Sequence, residues 1–127
     1  MRAVLIALLC ATPAAAQEIS GDFLFYQYCA TCHGLGGTGD GPMAPVMIVQ
    51  PADLTQLAAR NGGVFPTGRV VARIDGSDPL VSHGSDMPVF GPYFGGTGAV
   101  LTDENGARVR TSPPIARLVG YLEKLQR

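Results

Sequence analysis

The sequence predicts a mainly α chain of short helices and long loops, with one small β-hairpin near residues 99–111. Three observations lead there. Glycine and proline are frequent, 17 and 10 in 127 residues, and so much turn chemistry leaves no room for long helices. The apolar residues that do recur at helical spacing lie in short segments with recognisable starts and stops. Asn105-Gly106 sits between the β-prone runs Val100-Leu101-Thr102 and Arg108-Val109-Arg110, the strongest short-range signal for a hairpin.

Taken in order, residues 1–16 read as a cleaved signal peptide. Arg2 precedes the apolar run Val4–Ala11, Pro13 breaks it, and Ala14-Ala15-Ala16 stands before Gln17. The run is about half the roughly 20 residues that a spanning helix needs. Lipidation at Cys10 would require a small residue before it, and Leu9 occupies that place. Residues 17–127 are then expected to form one exported, periplasmic domain with no stable membrane insertion. A short helix is expected from Ser20, as N-cap, through Tyr28, with Asp22 favourable in its first turn. A second is expected to begin at Pro51, carry Asp53 in its first turn and stop at Asn61-Gly62. A third runs over Thr67–Ile74 and ends before Gly76. The best-marked helix is the last: Ser112 caps it, Pro113 and Pro114 fill its first turn, and Ile115, Leu118, Val119, Leu122 and Leu125 form one stripe.

Charge excludes several function classes. The formal net charge is −1, from 9 basic against 10 acidic residues, and Lys124 is the only lysine. Removing Arg2 with the leader leaves 8 basic side chains and a net charge of −2. Neither a phosphate-tracking nucleic-acid surface nor a polybasic membrane patch is built from so few scattered cations.

The chemistry-bearing motif is Cys29-Ala30-Thr31-Cys32-His33. A disulfide across so tight a loop stabilises little by the loop-entropy argument. A redox dithiol would need a surrounding βαβ pattern, and zinc would need four ligands where His33 and His83 are the only other nitrogen donors. The remaining reading is c-type haem attachment. Two thiols three residues apart meet the two vinyl groups on one side of a porphyrin, and the residue after the second thiol is held under the iron. Cys29 and Cys32 are thus the expected thioether sites, and His33 the proximal ligand.

With that motif, followed by Gly34, with Gly39-Asp40-Gly41-Pro42, and with Asp86-Met87-Pro88-Val89-Phe90-Gly91 in the second half, the chain resembles small bacterial class I c-type cytochromes. The resemblance covers most of residues 17–127 and implies a cytochrome c fold, its short helices and long loops wrapped around one covalent haem. It implies that the last helix crosses the first near Gly21, with Phe25 against Tyr121. It also implies that a proline carbonyl, from Pro45 or else Pro42, orients the His33 ring. The segment from Gly95 to Thr111, which holds the hairpin signal, departs from the family pattern.

Met43, Met47, Met87 and His83 are the candidates for the second axial position. Met43 and Met47 follow His33 closely and are expected to wall the pocket. Met87 lies far enough along the chain to wrap around the haem edge, and Pro88 restricts its backbone to an extended form. Met87 is therefore the expected ligand and His83 the alternative, which would lower the potential. Arg69, Arg73 and Tyr93 are candidates for hydrogen bonds to the propionates. An iron filled by His33 and Met87 has no open site, so the expectation is a monohaem electron carrier, not an enzyme, that serves redox protein partners. The alternatives are a haem-based small-ligand sensor or peroxidase-like protein, if Met87 is displaced, or a fixed subunit of a larger oxidoreductase. A chain with one lysine has no cationic ring for steering. Docking is expected to be mainly apolar around the haem edge, with Val100–Arg110 adding partner-specific surface.

Overall fold

In the computed structural model, which describes residues 18–79 and 87–127, the first and last helices cross at a glycine. Helix α1 spans Gly21–Tyr28 and α4 spans Pro113–Lys124. A Cβ on Gly21 would collide with the backbone carbonyl of Arg117, so the absent side chain is what permits this approach. Phe25 lies at the crossing with no exposure, and its ring centroid is 5.3 Å from that of Tyr121. Ser112 is extended and its hydroxyl accepts from the Ile115 amide at 3.4 Å, while two prolines occupy positions whose amides would have no helical partner. The stripe of Ile115, Leu118, Val119 and Leu122 is buried.

After α1, Cys29 leaves the helix (φ −115°, ψ −35°) and a single turn, α2, covers Ala30–His33. Gly34 ends it at φ 78°, where a side chain would be strained and would strike the Asp40 carboxylate. Helix α3, Thr67–Asp75, buries Val70, Val71 and Ile74 and stops at Gly76 in the left-handed conformation. Strands β1 (Ala99–Thr102) and β2 (Arg108–Thr111) pair antiparallel, Ala99 opposite Thr111 and Thr102 opposite Arg108. The turn is closed by Asp103, whose Oδ1 accepts from the amides of Asn105 (2.9 Å) and Ala107 (2.7 Å). Alternation turns Leu101 and Val109 inward, and both pack on the core formed by α1, α3 and α4.

The expected helix from Pro51 to Asn61 is not continuous. Two short 3-10 turns, Leu54–Gln56 and Ala59–Asn61, occupy that stretch beside a further one at Ala44–Val46. Asp53 stands at the cap and not in the first turn, its Oδ1 accepting from the Thr55 amide (2.9 Å) and hydroxyl (2.7 Å). An α-helix would join the Ala58 amide to the Leu54 carbonyl. Here the Gln126 side chain comes between them: its Oε1 accepts from the Ala58 amide at 2.9 Å and its Nε2 donates to the Leu54 carbonyl at 2.8 Å. An amide from the far end of the chain thus satisfies both groups and holds the turns apart. No described helix is long and apolar enough to cross a membrane. The leader reading and the His83 alternative fall outside the described residues.

Candidate cofactor site

One cavity of about 470 Å³ gathers Cys29, Cys32, His33 and Met87 on its lining. The first three come from the junction of α1 and α2, and Met87 comes from the segment that follows α3. Val70 and Ile74 of α3 and Leu118 and Leu122 of α4 supply apolar wall. Such a volume lies within the range that holds medium-sized organic ligands, and an apolar lining with a few convergent polar groups is the usual composition of such a site.

The imidazole is fixed. His33 Nδ1 donates to the Ala52 carbonyl at 2.9 Å, since a carbonyl can only accept, and in the neutral ring this leaves the lone pair on Nε2. Burial lowers the His33 pKa, only partly offset by that hydrogen bond, which favours the neutral ring, the form that can ligate. This corrects the expectation that the carbonyl of Pro45 or Pro42 orients the ring. The amides of Gly41 and Met43 bond the carbonyls of Cys32 and Thr31 at 3.1 and 3.0 Å, which lays the stretch after Gly39 along the backbone of α2. The chain comes under the ring only when it returns through Pro51-Ala52. Gly39 makes room for that return: at φ 86°, it packs so closely on the Pro51 carbonyl that a Cβ would overlap it.

The two thiols are unbridged and half-buried. Burial, with the neighbouring Cys32 adding to it, pushes the Cys29 thiol up to about 11. A thiol held protonated lacks the thiolate that disulfide exchange requires. Among the described residues no three His, Cys, Asp or Glu side chains converge as a metal cage; His83, the other nitrogen donor weighed for zinc, lies outside them.

Of the other candidates, Met47 lines the cavity, whereas Met43 is exposed and does not, because its amide is tied to Thr31 and its side chain turns outward. Arg69 and Arg73 both line it. Arg73 pairs with Asp78 at 3.5 Å, and Arg69 donates to Asn61 at 3.4 Å. Tyr93 does not reach the lining. Its hydroxyl instead meets that of Tyr28 at 3.0 Å, and Tyr28 is the tyrosine on the cavity wall. Residue-by-residue reading missed Tyr28, Ala52 and Asp78; for Tyr28 the signal was its place immediately before Cys29. The rim continues into the exposed apolar residues Val46, Ile48 and Val49, with Ile48 97% exposed.

No protein-family model matches the chain, and comparison with the curated proteins and with the solved structures finds no match.

Proposed function

We propose that the chain is a periplasmic monohaem c-type electron carrier, and that the cavity is its haem pocket. The observation that carries this reading is the convergence of Cys29, Cys32, His33 and Met87 on one cavity, with His33 Nδ1 committed to Ala52. The donor set suits a covalently attached haem: two unbridged thiols for the vinyl groups, an imidazole with Nε2 available, and a thioether from a separate segment. Haem bound here would be held by Cys29, Cys32, His33 and Met87 and would supply a reversible one-electron couple.

The chain's own residues would do the rest. The Ala52 carbonyl holds the His33 proton at Nδ1 and fixes the ring orientation, which strengthens the ring as a donor. Val70 and Ile74 of α3 and Leu118 and Leu122 of α4 would give the ring an apolar wall. Arg69 brings positive charge to the pocket wall, suited to a carboxylate at the rim, while the charge of Arg73 is balanced there by Asp78. Val46, Ile48 and Val49 offer a small apolar rim on which a redox protein can rest briefly.

The test is retention of haem after denaturation. Haem should stay with the unfolded polypeptide, and the joint change Cys29→Ala, Cys32→Ala should release it. Loss of haem from the denatured wild type would refute the reading. The sensor or peroxidase alternative predicts rapid carbon monoxide binding to the reduced protein, where a carrier keeps its spectrum unchanged.

A further inference from the structure

The hairpin departs from the family pattern, and its two faces differ. Leu101 and Val109 point into the core, whereas Val100, Thr102, Arg108 and Arg110 are exposed on the outer side. Thr102 stands opposite Arg108 and Val100 opposite Arg110, so the two arginines lie on one face of β2, about 7 Å apart along the strand. The hairpin's own acids are committed elsewhere. Asp103 accepts from the turn amides, and Glu104 Oε2 accepts from the Gly68 amide at 3.4 Å in the first turn of α3. That last contact and the inward Leu101 and Val109 clamp the hairpin onto the domain. Neither Arg108 nor Arg110 enters an ion pair among the described residues.

We propose that this outer face is a docking site for an acidic patch on a partner protein, each guanidinium taking one carboxylate. The magnitude of the charge selects the partner class. Anionic membranes are bound by clusters of about 4–8 basic residues, and duplex nucleic acid by about 6–10 phosphate contacts. Two arginines on a chain of negative net charge fall short of both. A planar guanidinium matches a carboxylate through two parallel hydrogen bonds. The spacing fits acids two residues apart on a strand, or three or four apart on a helix, where side chains start about 5–6 Å from one another. Val100 and Thr102 give the site a contact floor of mixed polarity. Docking here requires nothing of the cavity, so its failure and failure of the electron-carrier reading are separate results.

The probe is hexaglutamate, titrated at low ionic strength into the isotopically labelled exported protein and followed by amide chemical shifts. The perturbed amides should centre on residues 100–102 and 108–110, and added salt should reverse the effect. Arg108→Ala with Arg110→Ala should weaken binding about five- to tenfold, while the double lysine variant keeps part of the affinity. Both positions face solvent, so an unchanged spectrum elsewhere confirms that the variants fold. Shifts centred on Arg60, Arg69 or Arg73, an absence of shifts, or an unchanged affinity in the double alanine variant would overturn the proposal. So would binding to phosphatidylglycerol vesicles through the same arginines without any response to hexaglutamate.

Discussion

The Nδ1 of His33 and the carbonyl oxygen of Ala52 stand 2.9 Å apart across 19 residues of chain, and this bond decides which ring nitrogen faces the cavity. What delivers Ala52 to the ring is Gly39. Its amide bonds the His33 carbonyl at 2.8 Å while its bare Cα lies against the Pro51 carbonyl. Any side chain at residue 39 would push the returning Pro51-Ala52 segment off the imidazole.

Gly39→Ala should therefore destabilise the protein by more than its backbone strain alone. Gly63 is the control, because its φ of 89° is similar to the 86° of Gly39 but no atom lies within 4 Å of where its Cβ would be. Gly63→Ala should cost about 1 kcal/mol, and Gly39→Ala a further 1–3 kcal/mol from overlap. Chemical denaturation measures both. In Gly39→Ala the His33 Nδ1 proton should also exchange faster with solvent; equal costs at the two sites would show that the close approach is unimportant.

At Gly21 the test concerns packing, since its conformation is ordinary helix. Gly21→Ala places a methyl against the Arg117 carbonyl and should destabilise by about 1–3 kcal/mol. Gly120 lies inside α4 with open space at its Cβ, so Gly120→Ala should stabilise by about 1 kcal/mol through helix propensity. Opposite signs for one substitution type in two helices would tie the α1–α4 crossing to Gly21.

These elements differ in how far they were legible. Ser112-Pro113-Pro114 and Asn105-Gly106 act through local geometry, so the last helix and the hairpin turn follow from neighbouring residues alone. Pro51–Asn61 has the composition of a helix and is not one, because Gln126, distant in sequence, bonds the very amide and carbonyl that the helix would have joined. The same holds at the site. Cys29, Cys32 and His33 are fixed by spacing, whereas the carbonyl that orients the ring is invisible in the sequence, since every residue has one. The choice between Tyr28 and Tyr93 depends on which phenol the fold turns inward.

Stability towards acid should depend on Asp53. Hydrogen bonds from the Thr55 hydroxyl and amide hold its carboxyl below the ordinary value near 3.9. A depressed carboxyl contributes stability that is complete above the unfolded pKa and is lost as pH falls through the folded one. Melting temperature should thus fall more steeply below about pH 4 in the wild type than in Asp53→Asn. The Asn variant should already melt lower at pH 7, with its 3-10 turn less well capped. Parallel curves for the two proteins would remove Asp53 from the acid transition.

The last prediction concerns what holds Met87 at the cavity. Beyond Pro88 the chain is pinned to the end of α3: the Phe90 amide donates to the Ile74 carbonyl at 2.8 Å, and Gly91 lies against the Asp75 carbonyl so closely that a Cβ would overlap it. Gly76, at φ 86°, makes room for Val89 in the same way. Met87 thus owes its position to a backbone clamp a few residues downstream. If Met87 is the second axial ligand, Met87→Ala should remove the sulfur-to-iron charge-transfer absorption of the oxidised protein, and Met87→His should lower the reduction potential. Gly91→Ala keeps the thioether but disturbs the clamp, so it should weaken the same absorption and speed carbon monoxide binding, with haem still covalently attached. Unchanged absorption in Met87→Ala would transfer the role to Met47, the other methionine on the cavity wall. Full absorption in Gly91→Ala, with a thioether that resists carbon monoxide, would show that the iron bond alone holds the segment in place.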